Sequence, residues 1–324
     1  MAGNEAASHF KFQALPWFSV DFTEKAQHDP SFRAITLPGL GLVNRPYDTD
    51  NITGPGEPQG NDRKPWERFR VYVEHLNEQD PGSTIYKVLC ITRHGLGYHN
   101  VFESRVGKDA WNVGYFCLSN APTLNNHGQD HWSHLDGDGQ VIWADSKLNE
   151  DGVAQAKALG QFWSDAVANE KVPIPGTIYT SPLTRCLETT RLVFARVVEE
   201  QGVQFRPIVK ELLRERLTNH TCDRRSSRSW IEEHFPNYII EPGFSEEDRL
   251  WTGGRWESTE EHMARKHRVL EDIFATDENA FVALTVHSYA ISAILRVIGM
   301  TEFRVREGSS IAFLVKAERI GPHS

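Results

Sequence analysis

Apolar residues along this chain follow two alternating rhythms. From Trp66 to Leu76 they recur at helical spacing, and "TIYKVLCIT" then runs apolar almost without a break, as a strand buried on both faces does. The alternation becomes regular after residue 148. "NEDGVAQAKALGQFWSDAVANE" predicts an amphipathic helix and "GTIYTS" a short strand. "PLTRCLETTRLVFARVVEEQ" predicts a helix with Pro182 near its first turn, where proline is tolerated. "VQFRPIV" reads as a strand, "STEEHMARKHRVLEDIFATDE" as a helix and "AFVALTVHS" as a strand. "YAISAILRVIG" and "SSIAFLVKAE" add a final helix and a final strand. Strands alternating with helices predict a three-layer α/β/α sandwich around a mostly parallel central sheet.

Three stretches break the rhythm. Residues 1–62 are rich in Gly, Pro, Asn and Asp and show no steady period. Their aromatics (Phe10, Phe12, Trp17, Phe18, Phe22) predict an extension packed on a main domain spanning 63–324. Within that domain, 97–147 and 216–257 stand as insertions of mixed polar and aromatic character.

Composition narrows the classes. Of 324 residues 39% are hydrophobic and 24% charged, which is globular. A net charge of −9 argues against a nucleic-acid or membrane-surface binder, which needs a basic face. The four cysteines, Cys90, Cys117, Cys186 and Cys222, are scattered with no C-x-x-C pair, so neither a disulfide scaffold nor a zinc knuckle is expected. "MAGNEAASHFKF" lacks a basic segment followed by an apolar run, and no stretch reaches the roughly 18 apolar residues of a membrane helix. The expectation is a soluble cytoplasmic protein.

Chemistry enters at the strand ends. One strand runs into Arg93 and His94, a second into "SPLTR" with Arg185 one turn into its helix, and a later one into His287 and Ser288. In open α/β sheets ligands bind beyond the carboxyl ends of the strands, so these residues should meet in one crevice. A loop after the third strand adds Glu215 in "ELLRERLTNH", with Glu211 as its rival. Two arginines, two histidines and a helix N-terminus suit an anion. The chemistry that fits is phosphoryl transfer to nitrogen. His94 would be nucleophile, Glu215 acid and then base, and Arg93, Arg185 and His287 the clamp on the equatorial oxygens. Enough fixed positive charge makes a metal unnecessary, and no cofactor is expected.

"TRHG", "YTSPLTRCLETT", "LRER" and "TVHS" resemble, in that order, the motifs of the histidine phosphatase superfamily, the phosphoglycerate-mutase-like proteins. The resemblance implies that family's fold and maps the phosphorylated histidine to His94, the second pocket arginine to Arg185, the proton donor to Glu215 and the second histidine to His287. It also gives Asn100 a phosphate contact. "RHGLGYHNVFE", "DHWSHLDGDGQVIWADSKLNEDGVAQA" and "HTCDRR" resemble a fungal branch of phosphomutase-like phosphatases, from which Leu96 and Asn149 depart.

Further candidates surround this set. Arg224 and Arg225 could grip an anionic part of a substrate, and Tyr98 borders the pocket with His99. "NNHGQDHWSHLDGDG" carries His127, His131 and His134 with Asp130, Asp136 and Asp138, a metal-like spacing in which glycines disfavour the helix that would align them; a loop over the site is the better reading. The function expected is a metal-independent phosphatase acting on a small phosphate ester, with a mutase or a catalytically idle interaction module as alternatives.

Overall fold

A computed structural model describes residues 9–21, 64–112 and 132–320. Phe22, Cys117, His127, Asp130 and His131 lie outside the described residues. Seven strands form one sheet in the order β1-β7-β2-β6-β3-β4-β5. They are β1 (Phe10–Asp21), β2 (Thr84–Arg93), β3 (Thr177–Thr180), β4 (Ile208–Val209), β5 (Ile239–Ile240), β6 (Phe281–Val286) and β7 (Ser310–Arg319). The run β2-β6-β3-β4-β5 is parallel throughout, whereas β7 pairs antiparallel with both β2 and β1.

Alternation along the central strands sorts the two faces. Val88 and Cys90 of β2, with Ala283 of β6, meet α1 (Pro65–Gln79), α4 (Glu150–Asp165) and α5 (Thr184–Glu199) through Phe69, Trp163 and Phe194. Leu89 and Ile91, with Leu284, meet α7 (Thr259–Thr276) and α8 (Ser288–Val297) through Leu270, Phe274 and Ile294. The result is the expected three-layer sandwich. β6 is buried along its whole length, which explains why its sequence does not alternate. Among the described residues no helix is long and apolar enough to cross a membrane.

Two elements differ from the reading of the sequence. "FKFQA", inside the stretch read as irregular, opens β1: Phe10, Phe12 and Ala14 are buried in the α7–α8 face while Lys11 and Gln13 face solvent. This is a period-2 strand too short to stand out before the Gly- and Pro-rich run. Conversely, the strand expected over 203–209 contracts to Ile208–Val209, because Pro207 has no N–H for a ladder.

The insertion 97–147 adds α2 (Tyr98–Val106) and α3 (Lys108–Asn112), and 216–257 adds α6 (Arg228–His234). Phe102, Trp111 and Trp143 from the first pack on Cys222 from the second as a separate small core.

Candidate active site

Sheet register places the first pair. β2 and β6 run parallel with Arg93 opposite Val286, so the next residues, His94 and His287, emerge side by side. Their ring centroids are 5.0 Å apart. The Nδ1–H of His94 donates to the carbonyl of Gly95 at 2.7 Å, the arrangement that leaves Nε2 with a lone pair. Burial, then the charges of Arg185 and Arg93, hold its pKa well below the imidazole range, so the ring is neutral.

β3 contributes through the turn after it. Arg185, second residue of α5, is 1% exposed. Its Nε donates to Nδ1 of His287 at 3.2 Å, Nη1 to the carbonyl of Cys222 at 2.6 Å and Nη2 to Oδ1 of Asp223 at 3.3 Å. His287 must then carry its proton on Nε2, which donates to Oγ of Ser181 at 2.8 Å. Asp145, at a left-handed φ of 40°, holds the start of α5 by accepting from N and Oγ1 of Thr184, both at 2.8 Å, and it also binds Ser226.

Glu215 joins by way of α8. Its Oε1 accepts from the N–H of Ala290 at 2.8 Å and its Oε2 from that of Tyr289 at 3.1 Å, so the carboxyl sits on the helix N-terminus that His287 caps. Burial, then Asp223, raises its pKa against the N–H groups of Arg216 and Tyr289 and the charge of Arg185. Its rival Glu211 is spent elsewhere, accepting from Arg214 at 2.8 Å and from Arg225 at 2.9 Å. The segment carrying Glu215 is gripped from α7. Arg265 donates to the carbonyls of Leu212, Arg214 and Glu215, and the buried Lys266 to those of Leu212 and Arg214.

Arg93 ends β2 with Nη1 on the carbonyl of Val305 and Nη2 on Glu307, each at 2.7 Å. Its Nε is buried with no hydrogen-bond partner among the described residues. Asn100 uses Oδ1 to accept from the N–H of Gly97 at 3.2 Å, closing the first turn of α2. Ser288 opens α8 half-buried and Tyr98 opens α2 at 36% exposure. His99 is buried against His94, ring centroids 5.9 Å apart.

The arginine pair of "HTCDRR" divides. Arg224 lies at the surface, bonded to Asp136 at 2.8 Å. Arg225 is buried, and its N–H groups go to Glu211, Ser226, Ser245, Glu246 and Glu247, so here it ties a loop together and offers no donor to a ligand. Asp138 of the His-rich segment accepts from its own turn and pairs with Arg105. Among the described residues the grouping able to hold a metal falls instead on His220, Cys222 and Asp223.

Sequence reasoning did not single out Asp223, Ser181, Asp145 or Lys266. Asp223, Ser181 and Asp145 stand inside quoted motifs, but nothing in spacing separates them from their neighbours. Of the two departures noted at Leu96 and Asn149, the structure explains the side chain of Asn149 alone. Asn149 caps α4 by accepting from the N–H of Gly152 at 2.8 Å, a task threonine also performs. Leu96 holds its place through its backbone N–H, which donates to Gln155 at 2.9 Å.

Comparison with known proteins agrees in family. The profile of the histidine phosphatase superfamily (branch 1) matches residues 123–307. The chain is 41% identical over 290 residues to a "Probable phosphoglycerate mutase" of Arthroderma benhamiae, covering 90% of this chain and 80% of that protein. It is 30% identical to "Probable phosphoglycerate mutase PMU1" of Saccharomyces cerevisiae, covering 65% and 72%. With "Phosphomutase-like protein 3" of Candida albicans the identity is 27%, covering 72% and 66%.

Proposed function

Since the chain belongs to the histidine phosphatase superfamily, we propose that it hydrolyses a small phosphate monoester through a phosphohistidine on Nε2 of His94. The observation that carries this reading is the neutral His94 beside His287, with Arg185 bonded to the latter and Glu215 on the adjoining helix N-terminus.

The steps follow from the chemistry of these groups. Nε2 of His94 attacks phosphorus while the ester oxygen leaves. The equatorial oxygens gain charge-assisted hydrogen bonds from Arg185, from Nε of Arg93 and from Nε2–H of His287, which would exchange Ser181 for the substrate. Glu215, whose pKa burial raises, gives its proton to the leaving alkoxide. As a carboxylate it then takes a proton from the water that attacks the phosphohistidine, and the ester yields alcohol and inorganic phosphate. Two guanidiniums supply the charge neutralisation for which other phosphoryl-transfer sites use a cation. Asn100, Ser288 and Tyr98 are proposed at the rim, Asn100 toward phosphate.

A second reading rests on the relatives' names, two of which say phosphoglycerate mutase. A mutase uses the same first transfer but passes the phosphoryl group to a second hydroxyl instead of water, and the residues named above serve either outcome. A panel of phosphate esters, with and without chelator, decides. Hydrolysis predicts free phosphate that persists under chelator and disappears in His94→Ala. Isomerised ester without free phosphate would establish the mutase, and undiminished release in His94→Ala would remove the nucleophile assignment.

A further inference from the structure

The motif "HTCDRR" drew attention through its arginines, yet its other half has the chemistry of a metal site. The short 3₁₀ turn Thr221–Asp223 gathers one nitrogen of His220, the Sγ of Cys222 and a carboxylate oxygen of Asp223 within 4.8 Å of one another, all three residues buried. We propose that these side chains bind a thiophilic divalent cation of the zinc type, and that the ion is coupled to the anion site through Asp223.

The donor set selects the ion. One imidazole, one thiolate and one carboxylate suit tetrahedral zinc with its fourth position open, whereas a sulfur ligand disfavours magnesium and calcium. The ligands are already held in orientation, as partners of ligands do in built sites. Asp223 Oδ2 accepts from Oγ1 of Thr218 at 2.6 Å, and the same Oγ1 accepts from the N–H of His220 at 3.0 Å. The His220 ring stands edge-on between Trp111 and Trp256, at centroid distances of 5.9 and 5.2 Å.

Two groups oppose the ion and set its strength. Arg185, whose Nη2 is 3.3 Å from Oδ1 of Asp223, places a positive charge beside it. Thiolate and carboxylate together cancel the ion's two charges, which makes the site tolerable. The Cys222 proton must also leave to solvent as the sulfur–metal bond forms, so binding releases one proton. A cation on Asp223 draws the carboxylate from Arg185 and frees Nη2 for a phosphate oxygen. Metal and inorganic phosphate then favour one another, equally in both directions.

Cobalt(II) titrated alone into the chelator-treated full chain reports the site without turnover. The expected result is a thiolate-to-cobalt charge-transfer band saturating at one ion per chain. It should vanish in Cys222→Ser, and His220→Asn should weaken cobalt by more than about 100-fold, beyond what loss of a ligand's hydrogen-bond partner costs. Thermal melts confirm that each variant is folded, and His220→Asn carries the test should Cys222→Ser not fold. No band in the wild-type chain, or a band that survives in Cys222→Ser, overturns the site. Inorganic phosphate at equal free cobalt should tighten binding roughly fivefold or more; unchanged affinity overturns the coupling. The inference uses the anion site proposed above, but the band is independent of catalysis, so either reading can fail without the other.

Discussion

Arg185 donates from Nε to Nδ1 of His287 across 3.2 Å, and this one bond decides which face of the imidazole carries a proton. The same guanidinium reaches Cys222 and Asp223, three directions that a lysine ammonium on a flexible stem cannot serve together. Arg185→Lys should therefore cut kcat/KM on a phosphate ester by roughly 10²–10³-fold, comparable to loss of an oxyanion donor. Initial rates on the folded variant check this, and a loss below tenfold would mean that charge alone suffices.

A neutral nucleophile and a protonated acid must coexist for the first transfer. Burial lowers the pKa of His94 and raises that of Glu215, and both shifts favour the pH range in which the two required forms coexist. Activity should fall on the alkaline side as Glu215 ionises and on the acid side only once His94 is protonated, below the ordinary imidazole range. Glu215→Gln removes the acid and should flatten the alkaline limb while lowering kcat by about 10²–10⁴-fold. A pH–rate profile of both proteins reads this directly, and an unaltered alkaline limb in the variant would assign it to another group.

Glu215 owes its position to two α7 side chains that touch no expected substrate atom. Arg265 and Lys266 hold the carbonyls of Leu212 and Arg214, and Arg265 that of Glu215 itself. Lys266→Met keeps the stem's packing and removes the grip. The expected outcome is a kcat lowered by about 10-fold or more with KM little changed, together with a displaced alkaline limb, because the group moved is Glu215. A variant that loses stability alone and keeps the wild-type pH profile would limit Lys266 to a structural role.

Arg225→Ala tests the opposite assignment. This buried side chain stacks over Phe244 at 4.1 Å and neutralises Glu211. Its removal should cost about 1–3 kcal/mol of folding stability by taking the donor from the carbonyls of Ser226, Ser245, Glu246 and Glu247, while Glu211 keeps Arg214. KM measured on the folded protein should not change, and a selective rise in KM would return Arg225 to substrate binding.

Stability itself should depend on pH. His94, His99 and His287 are all held neutral, chiefly by burial and then by Arg185, so their folded pKa values lie below the unfolded ones. As pH drops through the ordinary imidazole range the unfolded chain takes up protons that the folded one refuses, and each such group removes stability at up to about 1.4 kcal/mol per pH unit. Glu215, raised in the fold, acts the other way, stabilising below the ordinary carboxylate range and losing that contribution as pH climbs to its raised value. His262 joins the three histidines, and Glu103, Glu188 and Glu241 join Glu215. Because the ordinary imidazole range lies within about pH 5–7 and the ordinary carboxylate range below it, the histidines should dominate there, visible as a lower Tm near pH 5 than near pH 7.

The legible parts of this molecule were those where local pattern and global fold agree. The unbroken apolar run of β6 and the 3.6-residue period of α5 and α7 announce a buried strand and half-buried helices, and the carboxyl-end rule then brings Arg93-His94, Arg185 and His287 to one edge. Charge spacing in "KELLRERL" fits Glu211 as well as Glu215, so the preference for Glu215 rests on the "LRER" resemblance with Glu211 as its rival. Only the three-dimensional partners, α8 N–H groups for one and Arg214 with Arg225 for the other, distinguish them. β1 escaped for a related reason. Its alternation spans few residues, and what makes it a strand is the free edge of β7, some 290 residues further along the chain.

That pairing has a kinetic side. Among the described residues β1 has β7 as its one strand partner, with Phe10 opposite Arg319, and β7 in turn must already lie against β2. During synthesis the segment emerges early and waits, its Phe10 and Phe12 uncovered, until nearly all the described chain has been made. A contact of such long range is slow to close, and until then the outer strand is a template for other edges. Refolding of this protein should therefore end with a late phase that docks β1, the stage at which the chain is most open to aggregation.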